Sequence, residues 1–163
     1  KLEVRDGAVY WDVGAGTGSV SVELALLAPR SQVYAVEYKG EACALIRANR
    51  ERFGAYNLEV AEGRAPAALA ELPAPDGVFI GGSEGELIPI LEAALSRNPA
   101  ARFCVTAIAV ETLGVAVAAF TQLEMSPQIT QITVARSRRA GERNLMLGQN
   151  PVWIVTGQKE ALL

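Results

Sequence analysis

The stretch Val9-Tyr10-Trp11-Asp12-Val13-Gly14-Ala15-Gly16-Thr17-Gly18-Ser19-Val20-Ser21-Val22-Glu23-Leu24 limits the folds open to this chain more than any other. An apolar run ends at Asp12-Val13, and three glycines follow at every second position. Val20, Leu24 and Leu27 then recur at helical spacing. The pattern predicts a strand, a tight turn and the start of a helix. Glycine permits the turn and lets a ligand come close to the backbone. The first N–H groups of the new helix, and the positive end of its dipole, face the same space, so a carboxylate or phosphate is favoured there.

Spacing narrows the ligand. A dinucleotide site carries G-x-G-x-x-G. Here the third glycine comes one residue early, at Gly18, and Ser19 holds the dinucleotide position. Asp-x-Gly-x-Gly-x-Gly resembles instead the first motif of class I methyltransferases that use S-adenosylmethionine. A glycine turn alone serves equally well as a bare strand–helix connection. A second apolar run, Val33-Tyr34-Ala35-Val36, ends at Glu37, 19 residues past Gly18. An acid about 20 residues beyond such a turn meets ribose hydroxyls in folds of this kind. With turn and acid in register, a bound cofactor is favoured over an ordinary solvated strand end.

The rest of the chain keeps the same rhythm. Gln32 to Glu37 reads as a second strand. Ala42, Leu45, Ile46, Asn49 and Phe53 form a helical stripe that Gly54 closes. A third strand is predicted from Leu58 to Ala61, with Pro66 in the first turn of a following helix. Val78 to Ile80 is a fourth strand with a flexible loop, Gly81 to Gly85, at its end. A helix through Leu91 and Leu95, with Pro89 in its first turn, leads to a fifth strand, Arg102 to Ala107, and a helix from Glu111 to Leu123. Strands alternating with helices imply a parallel sheet covered on both faces. The end departs from this. Gln128 to Val134 alternates with period two, Val152 to Val155 is a short apolar run, and no helix pattern separates them. They are predicted to pair with each other as an antiparallel hairpin.

Composition excludes several functions. The chain has 163 residues, half of them apolar, enough for one domain with one core. A net charge of −3 disfavours a general nucleic-acid binder. Histidine is absent, which removes histidine acid/base catalysis and histidine-ligated metals. No apolar run approaches the roughly 20 residues of a membrane span, and no signal peptide is read. Cys43 and Cys104, far apart in apolar settings, suit buried thiols in a reducing compartment such as the cytoplasm better than a disulfide framework or a metal site. The chain starts at Lys1, almost on the first strand, and is expected to be a single domain over residues 1–163 taken from something longer.

Several segments in order resemble one family. They are Asp12 to Val20, Glu62-Gly63-Arg64-Ala65-Pro66-Ala67-Ala68-Leu69, Phe79-Ile80-Gly81-Gly82-Ser83, Glu111-Thr112-Leu113, Gln131-Ile132 and Asn150-Pro151-Val152. The family is that of the decarboxylating precorrin methyltransferases of cobalamin biosynthesis, which act on precorrin-6Y at carbons 5 and 15. Gly-Gly-Ser after the fourth strand and Asn-Pro-Val before the last are the most specific pieces. The resemblance implies a class I, Rossmann-like α/β fold whose seven-stranded sheet has the order 3-2-1-4-5-7-6 and one antiparallel strand. It also implies S-adenosylmethionine as cofactor. Gly14, Ala15, Gly16, Thr17 and Gly18 would take its amino-acid end, Glu37 and Tyr38 the ribose, and Gly63, Arg64 and Ala65 the adenine edge. Gly81 would let the sulfonium approach the fourth strand.

The implied reaction is methyl transfer to carbon 15 of a reduced tetrapyrrole, with loss of carbon dioxide from the acetate on carbon 12. The sequence offers no strong general base near the cleft and no catalytic residue to name. That suits a macrocycle able to act as its own nucleophile and electron sink. The substrate bears carboxylates, and arginine binds these bidentately. Arg136, Arg138, Arg139 and Arg143 cluster between the last two strands. Arg138 and Arg139, with Ser83 and Thr106, are the candidate substrate contacts, although for any single arginine a solvated loop is the simpler reading. A homo-oligomer is expected, with fusion to, or work beside, a second methyltransferase domain left open.

The chain also departs from the family. Members usually carry aspartate where Arg64 stands and asparagine where Thr106 stands, and a family segment before the first strand, with a Thr-Lys pair, is not present. Other readings stay open: a class I methyltransferase of another small molecule, or a non-catalytic domain kept for partner binding. An amine methyltransferase is disfavoured because Asn150-Pro151-Val152-Trp153 falls at the final strand, and not after the fourth. A metal-dependent catechol-type site would have only Glu84 and Glu86 beyond the fourth strand.

Overall fold

The glycine turn does join a strand to a helix. In the computed structural model, which describes residues 2–159, β1 (Val9–Val13) feeds α1 (Ser19–Leu27), and β2 (Gln32–Glu37) feeds α2 (Gly40–Phe53). Next come β3 (Leu58–Glu62), a single 3-10 turn at Ala67–Leu69, β4 (Gly77–Ile80) and α3 (Leu87–Arg97). They are followed by β5 (Arg102–Ala107), α4 (Val110–Gln122), β6 (Gln128–Ile132), β7 (Ala135–Ala140), β8 (Arg143–Gly148) and β9 (Val152–Gly157). The main sheet has the order β3-β2-β1-β4-β5-β9-β6. β9 runs antiparallel to both its neighbours and the first five strands are parallel. Counting only the strands of this sheet, the order is the expected 3-2-1-4-5-7-6.

β1 lies inside the sheet and is buried on both faces, as its apolar residues on both sides of the strand require, with Asp12 the one charged group among them. Successive side chains point to opposite faces. Tyr10 packs with Val33, Leu24, Ile46 and Leu58, while Trp11 packs on the other side with Leu91, Phe103 and Phe120. Burying each large apolar side chain contributes about 1.5–3 kcal/mol. The polar tips are satisfied: Tyr10 Oη donates to the Arg5 carbonyl at 3.1 Å, and Trp11 Nε1 donates to that of Pro73 at 3.1 Å. α2 ends as its sequence suggests. Gly54 takes φ +68°, and the Ala55 N–H turns back to the Arg50 carbonyl at 3.0 Å. Neither Cys43 nor Cys104 is in a disulfide, and both are buried. No helix among the described residues is long and apolar enough to cross a membrane.

Four local expectations are corrected. The buried stripe of α2 is Cys43 and Ile46, leaving Leu45 and Phe53 exposed, so the apolar residues sit rotated about the helix from the stripe read off the sequence. Leu27 likewise ends α1 on the solvent side. The helix expected after Pro66 is only the three-residue turn Ala67–Leu69. Finally, β6 and β9 do pair, but the segment between them is not a plain loop. It is a separate two-stranded ribbon, β7 with β8, closed by the two-residue turn Gly141-Glu142. Ala135-Arg136-Ser137-Arg138-Arg139-Ala140 has no apolar alternation, because neither face of the ribbon is buried against the domain.

Candidate active site

The five parallel strands end in register along one edge. Val13 lies beside Val36 and Ile80, Ile80 beside Val105, and Glu37 beside Glu62. Here the backbone knits the strand ends to the turns that follow. Gly14 and Ala15 N–H donate to the Val36 carbonyl at 3.0 and 3.2 Å, Gly81 N–H to Val13 at 3.0 Å, and Gly63 N–H to Glu37 at 2.9 Å. Gly14 shows why the first position must be glycine. Its φ is +70°, and a Cβ there would stand 2.4 Å from the Gly82 carbonyl oxygen. The turn after β1 is thus pressed against the loop after β4.

Glu37 is 7% exposed and holds this arrangement together. Its Oε2 accepts from the Gly16 N–H at 3.0 Å, and its Oε1 accepts from Tyr38 and Lys39 N–H at 2.9 and 3.0 Å. A carboxylate has about four acceptor positions. Three are therefore occupied, and one on Oε2 remains for a ligand hydroxyl.

Below the turn lies Asp12, 1% exposed. Its Oδ2 accepts from the Ser21 hydroxyl in the first turn of α1, and its Oδ1 has no partner. Burial pushes its carboxyl up from 3.8 to about 6, against the opposing pull of the Ser21 bonds and with a further push from Glu37.

A cavity of about 500 Å³ opens between the turns after β1, β2, β3 and β4. Val13, Val36, Glu37 and Ile90 form its buried floor, and Tyr38, Lys39, Arg64 and Glu84 its outer rim. The Arg64 guanidinium lies 3.7 Å over the Tyr38 ring and is paired with Glu84. The Tyr38 hydroxyl donates to Glu84 Oε1 at 2.7 Å. That bond, with the Arg64 charge, holds the Glu84 carboxyl below its ordinary range. A second cleft, of about 650 Å³, lies across the Gly81–Gly85 loop. It is walled by Val105 to Ala109, Glu111, Thr112, Val115 and Val152. Gly82, Ser83 and Glu84 line both. Among the described residues, no group of acidic, cysteine or histidine side chains could hold a metal ion.

Of the residues singled out in the sequence, Gly14, Glu37, Tyr38, Gly63, Arg64, Ala65 and Ser83 line the first cavity. Gly81 and Thr106 line the second, as does Ser83. Ala15, Gly16, Thr17 and Gly18 line neither; Gly16 joins the site through Glu37. Arg138 and Arg139 line neither cleft, and the structure does not bring them together. Neighbours on a strand point to opposite sides. Arg136, Arg138 and Arg143 share one face of the ribbon with Leu145 and Leu147, while Arg139 faces the other way with Asn144 and Met146. The ribbon does leave the sheet at the cleft end, since β6 stops and β9 starts beside the end of β5. Sequence reasoning missed Lys39 and Ile90 as cavity residues and the part played by Glu84; no spacing signals these, because they meet the cleft only through the fold.

The sheet order, its one antiparallel strand and a cleft at the glycine turn define the class. This is the fold of the class I S-adenosylmethionine-dependent methyltransferases. The particular family follows from direct comparison. The model of the precorrin methyltransferase domain matches residues 1–159, and the chain belongs to that family. It is 44% identical over 158 residues to a probable cobalt-precorrin-6B C(15)-methyltransferase (decarboxylating) from Pyrobaculum calidifontis, covering 96% of this chain and 81% of that protein. The Salmonella typhimurium cobalt-precorrin-6B C(15)-methyltransferase (decarboxylating) is 35% identical over 162 residues, covering 98% and 83%. The crystal structure of precorrin-6Y C5,15-methyltransferase from Geobacter metallireducens superposes with a TM-score of 0.90 at 35% identity, again covering 98% and 83%.

Proposed function

We propose that this domain moves a methyl group from S-adenosylmethionine to carbon 15 of a precorrin tetrapyrrole and removes the acetate carboxyl on carbon 12 in the same catalytic cycle. The observation that carries the reading is the pair of clefts sharing one glycine-rich wall: a cofactor-sized cavity with a buried carboxylate beside a broader apolar one. The first is of the size of small-molecule sites. Its residues fit the cofactor: an acceptor position left on Glu37 suits a ribose hydroxyl, and backbone at Gly63 to Ala65 suits an adenine edge. When bound, the cofactor supplies the electrophilic methyl. The chain supplies position and dryness. Gly82 lacks a side chain where the two clefts meet, and Ile108, Val115 and Val152 offer apolar surface to a flat macrocycle. With no histidine in the chain, rate enhancement rests on alignment and exclusion of water.

Ser83 and Thr106 would meet substrate polar groups. Among the described residues, the second cleft has Glu84 and Glu111 in its walls and no lysine or arginine. Cationic partners for the substrate carboxylates would come from the ribbon, Arg136 and Arg138 on one face and Arg139 on the other. The ribbon is also the natural joint between copies. Leu145, Met146 and Leu147 are 52%, 67% and 46% exposed on a two-stranded unit with open edges. A homo-oligomer built there would place one copy's arginines near another's cleft. The decisive experiment incubates the full-length protein with methyl-labelled S-adenosylmethionine and the tetrapyrrole, following both label transfer and carbon dioxide release. Transfer without carbon dioxide, or neither, overturns the reading.

A further inference from the structure

We propose that Tyr38, Arg64 and Glu84 form a strap across the mouth of the first cavity, and that its opening sets how fast the cofactor enters and leaves. The proposal rests on the reading of that cavity as the cofactor site. The three residues follow three different strands, β2, β3 and β4, and meet only over the cleft. Each contact uses a different part of the others. The Arg64 guanidinium carbon lies 3.7 Å from the centre of the Tyr38 ring and the group pairs with Glu84 Oε2, and the Tyr38 hydroxyl closes the ring of contacts on Glu84 Oε1 at 2.7 Å. They lie on the solvent side, Arg64 63% and Glu84 51% exposed at the side chain, whereas Val13, Val36 and Glu37 beneath are buried. A ligand seated on that floor lies under the strap.

The segment that carries Glu84 is suited to move. Gly81, Gly82 and Gly85 surround it, and a side chain at Gly82 or Gly85 would meet nothing within 4 Å. Glu84 itself takes φ +48°, a conformation unfavourable for glutamate that contacts around it must sustain. Its side-chain contacts are those of the strap. The segment is pinned at its base by Gly81 N–H on the Val13 carbonyl, and Glu86 N–H on the Ser83 carbonyl closes a turn around Glu84. It is therefore a short flap with a fixed root and a charged tip. Gly82 is held against the turn after β1, but Ser83 and Glu84 also line the second cleft, so the same motion would reshape the wall between cofactor and substrate.

A strap differs from a ligand contact in its kinetics. Losing a contact with the cofactor speeds dissociation alone, whereas losing a gate speeds both directions. The test measures association and dissociation of S-adenosylmethionine by surface plasmon resonance on the full-length protein, without tetrapyrrole. Glu84→Gln, Arg64→Gln and Tyr38→Phe are each compared with the double exchange Arg64→Glu, Glu84→Arg. Thermal melting confirms that each variant is folded. Each single variant is expected to raise both rate constants roughly twofold to fivefold, the range for an exposed ion pair, with Kd changing less than either. The double exchange restores the ion pair but neither the Tyr38 hydroxyl bond nor the guanidinium over the ring, so its rates should fall below those of Arg64→Gln and Glu84→Gln without returning fully to those of the unsubstituted protein. Raising sodium chloride from about 0.05 to about 0.5 M should speed exchange in the unsubstituted protein and not in Glu84→Gln, because exposed pairs are screened. Unchanged rates, or faster dissociation with unchanged association, overturn the strap. No binding by the unsubstituted protein overturns the cofactor reading and the strap with it.

Discussion

Asp12 gives the fold a titration that can be measured without any ligand. Its carboxyl, ordinarily near 3.8, is pushed up to about 6 chiefly by burial. Between those values the folded chain keeps a proton that the unfolded chain has released. Stability therefore falls as pH rises across that interval and is level above it. Each unit is worth about 1.4 kcal/mol, so the ionised form costs the fold about 3 kcal/mol. Asp12→Asn removes the titration. The asparagine oxygen can still accept from Ser21, and its amide then occupies the place of the unpartnered Oδ1. A buried amide without a partner costs about 1–3 kcal/mol, but equally at every pH. The prediction thus concerns the difference between two curves. Urea unfolding of both proteins from about pH 4 to about pH 7 should show the stability of the unsubstituted protein dropping by about 2.4 kcal/mol relative to Asp12→Asn, the rest of the change lying below about pH 4. Carboxylates that do not interact with Asp12 cancel in that difference. A flat difference would mean that Asp12 ionises in the fold as freely as in the unfolded chain, and that burial does not govern it.

Three further outcomes are expected. Glu37→Ala should weaken S-adenosylmethionine binding by about 1.5–3 kcal/mol, as for a hydrogen bond to a charged group; titration calorimetry with unchanged affinity would reject the ribose assignment. Gly14→Ala meets both a left-handed φ and the Gly82 carbonyl, so urea unfolding should show a loss of about 2–4 kcal/mol; a loss under about 1 kcal/mol would mean the two loops separate easily. Replacing Arg136 and Arg138 together by glutamine should raise KM for the tetrapyrrole with kcat little changed and cofactor affinity intact, more so at low salt. Arg139→Gln, on the opposite face, should do less, and equal effects would show that the ribbon is not read by face.

What could be read from the sequence was what repeats or sits locally. The turn after β1 was legible because strand, glycines and helix are contiguous, and Glu37 because its strand ends at a fixed distance beyond them. Alternation plus an antiparallel end pointed to a parallel sheet with a closing hairpin, and the strand order came with the family resemblance. Side-chain facing was less legible. Leu45 and Phe53 are apolar yet exposed, because the sheet takes up only the narrow Cys43–Ile46 side of α2. β7 was missed because a ribbon buried on neither face needs no apolar alternation. The grouping of Tyr38, Arg64 and Glu84 was illegible for another reason. Their spacings in the chain, 26 and 20 residues, are set by the lengths of the intervening elements, which carry no trace of the contact.

The β7–β8 ribbon leaves the sheet after β6 and returns just before β9, and the Gln149 N–H meets the Val134 carbonyl at 2.8 Å where the two legs come together. The chain thus re-enters almost where it departed. In topological terms residues 135–148 are a closed detour: excising them and joining their flanks leaves every neighbour relation of the seven-stranded sheet unaltered. On the proposed reading, the cofactor's contacts lie in the strands and turns of the remaining frame. On the same reading, the arginines offered to the substrate sit on a detachable cassette. A lineage could therefore rewrite the second by altering fourteen consecutive residues without disturbing the first.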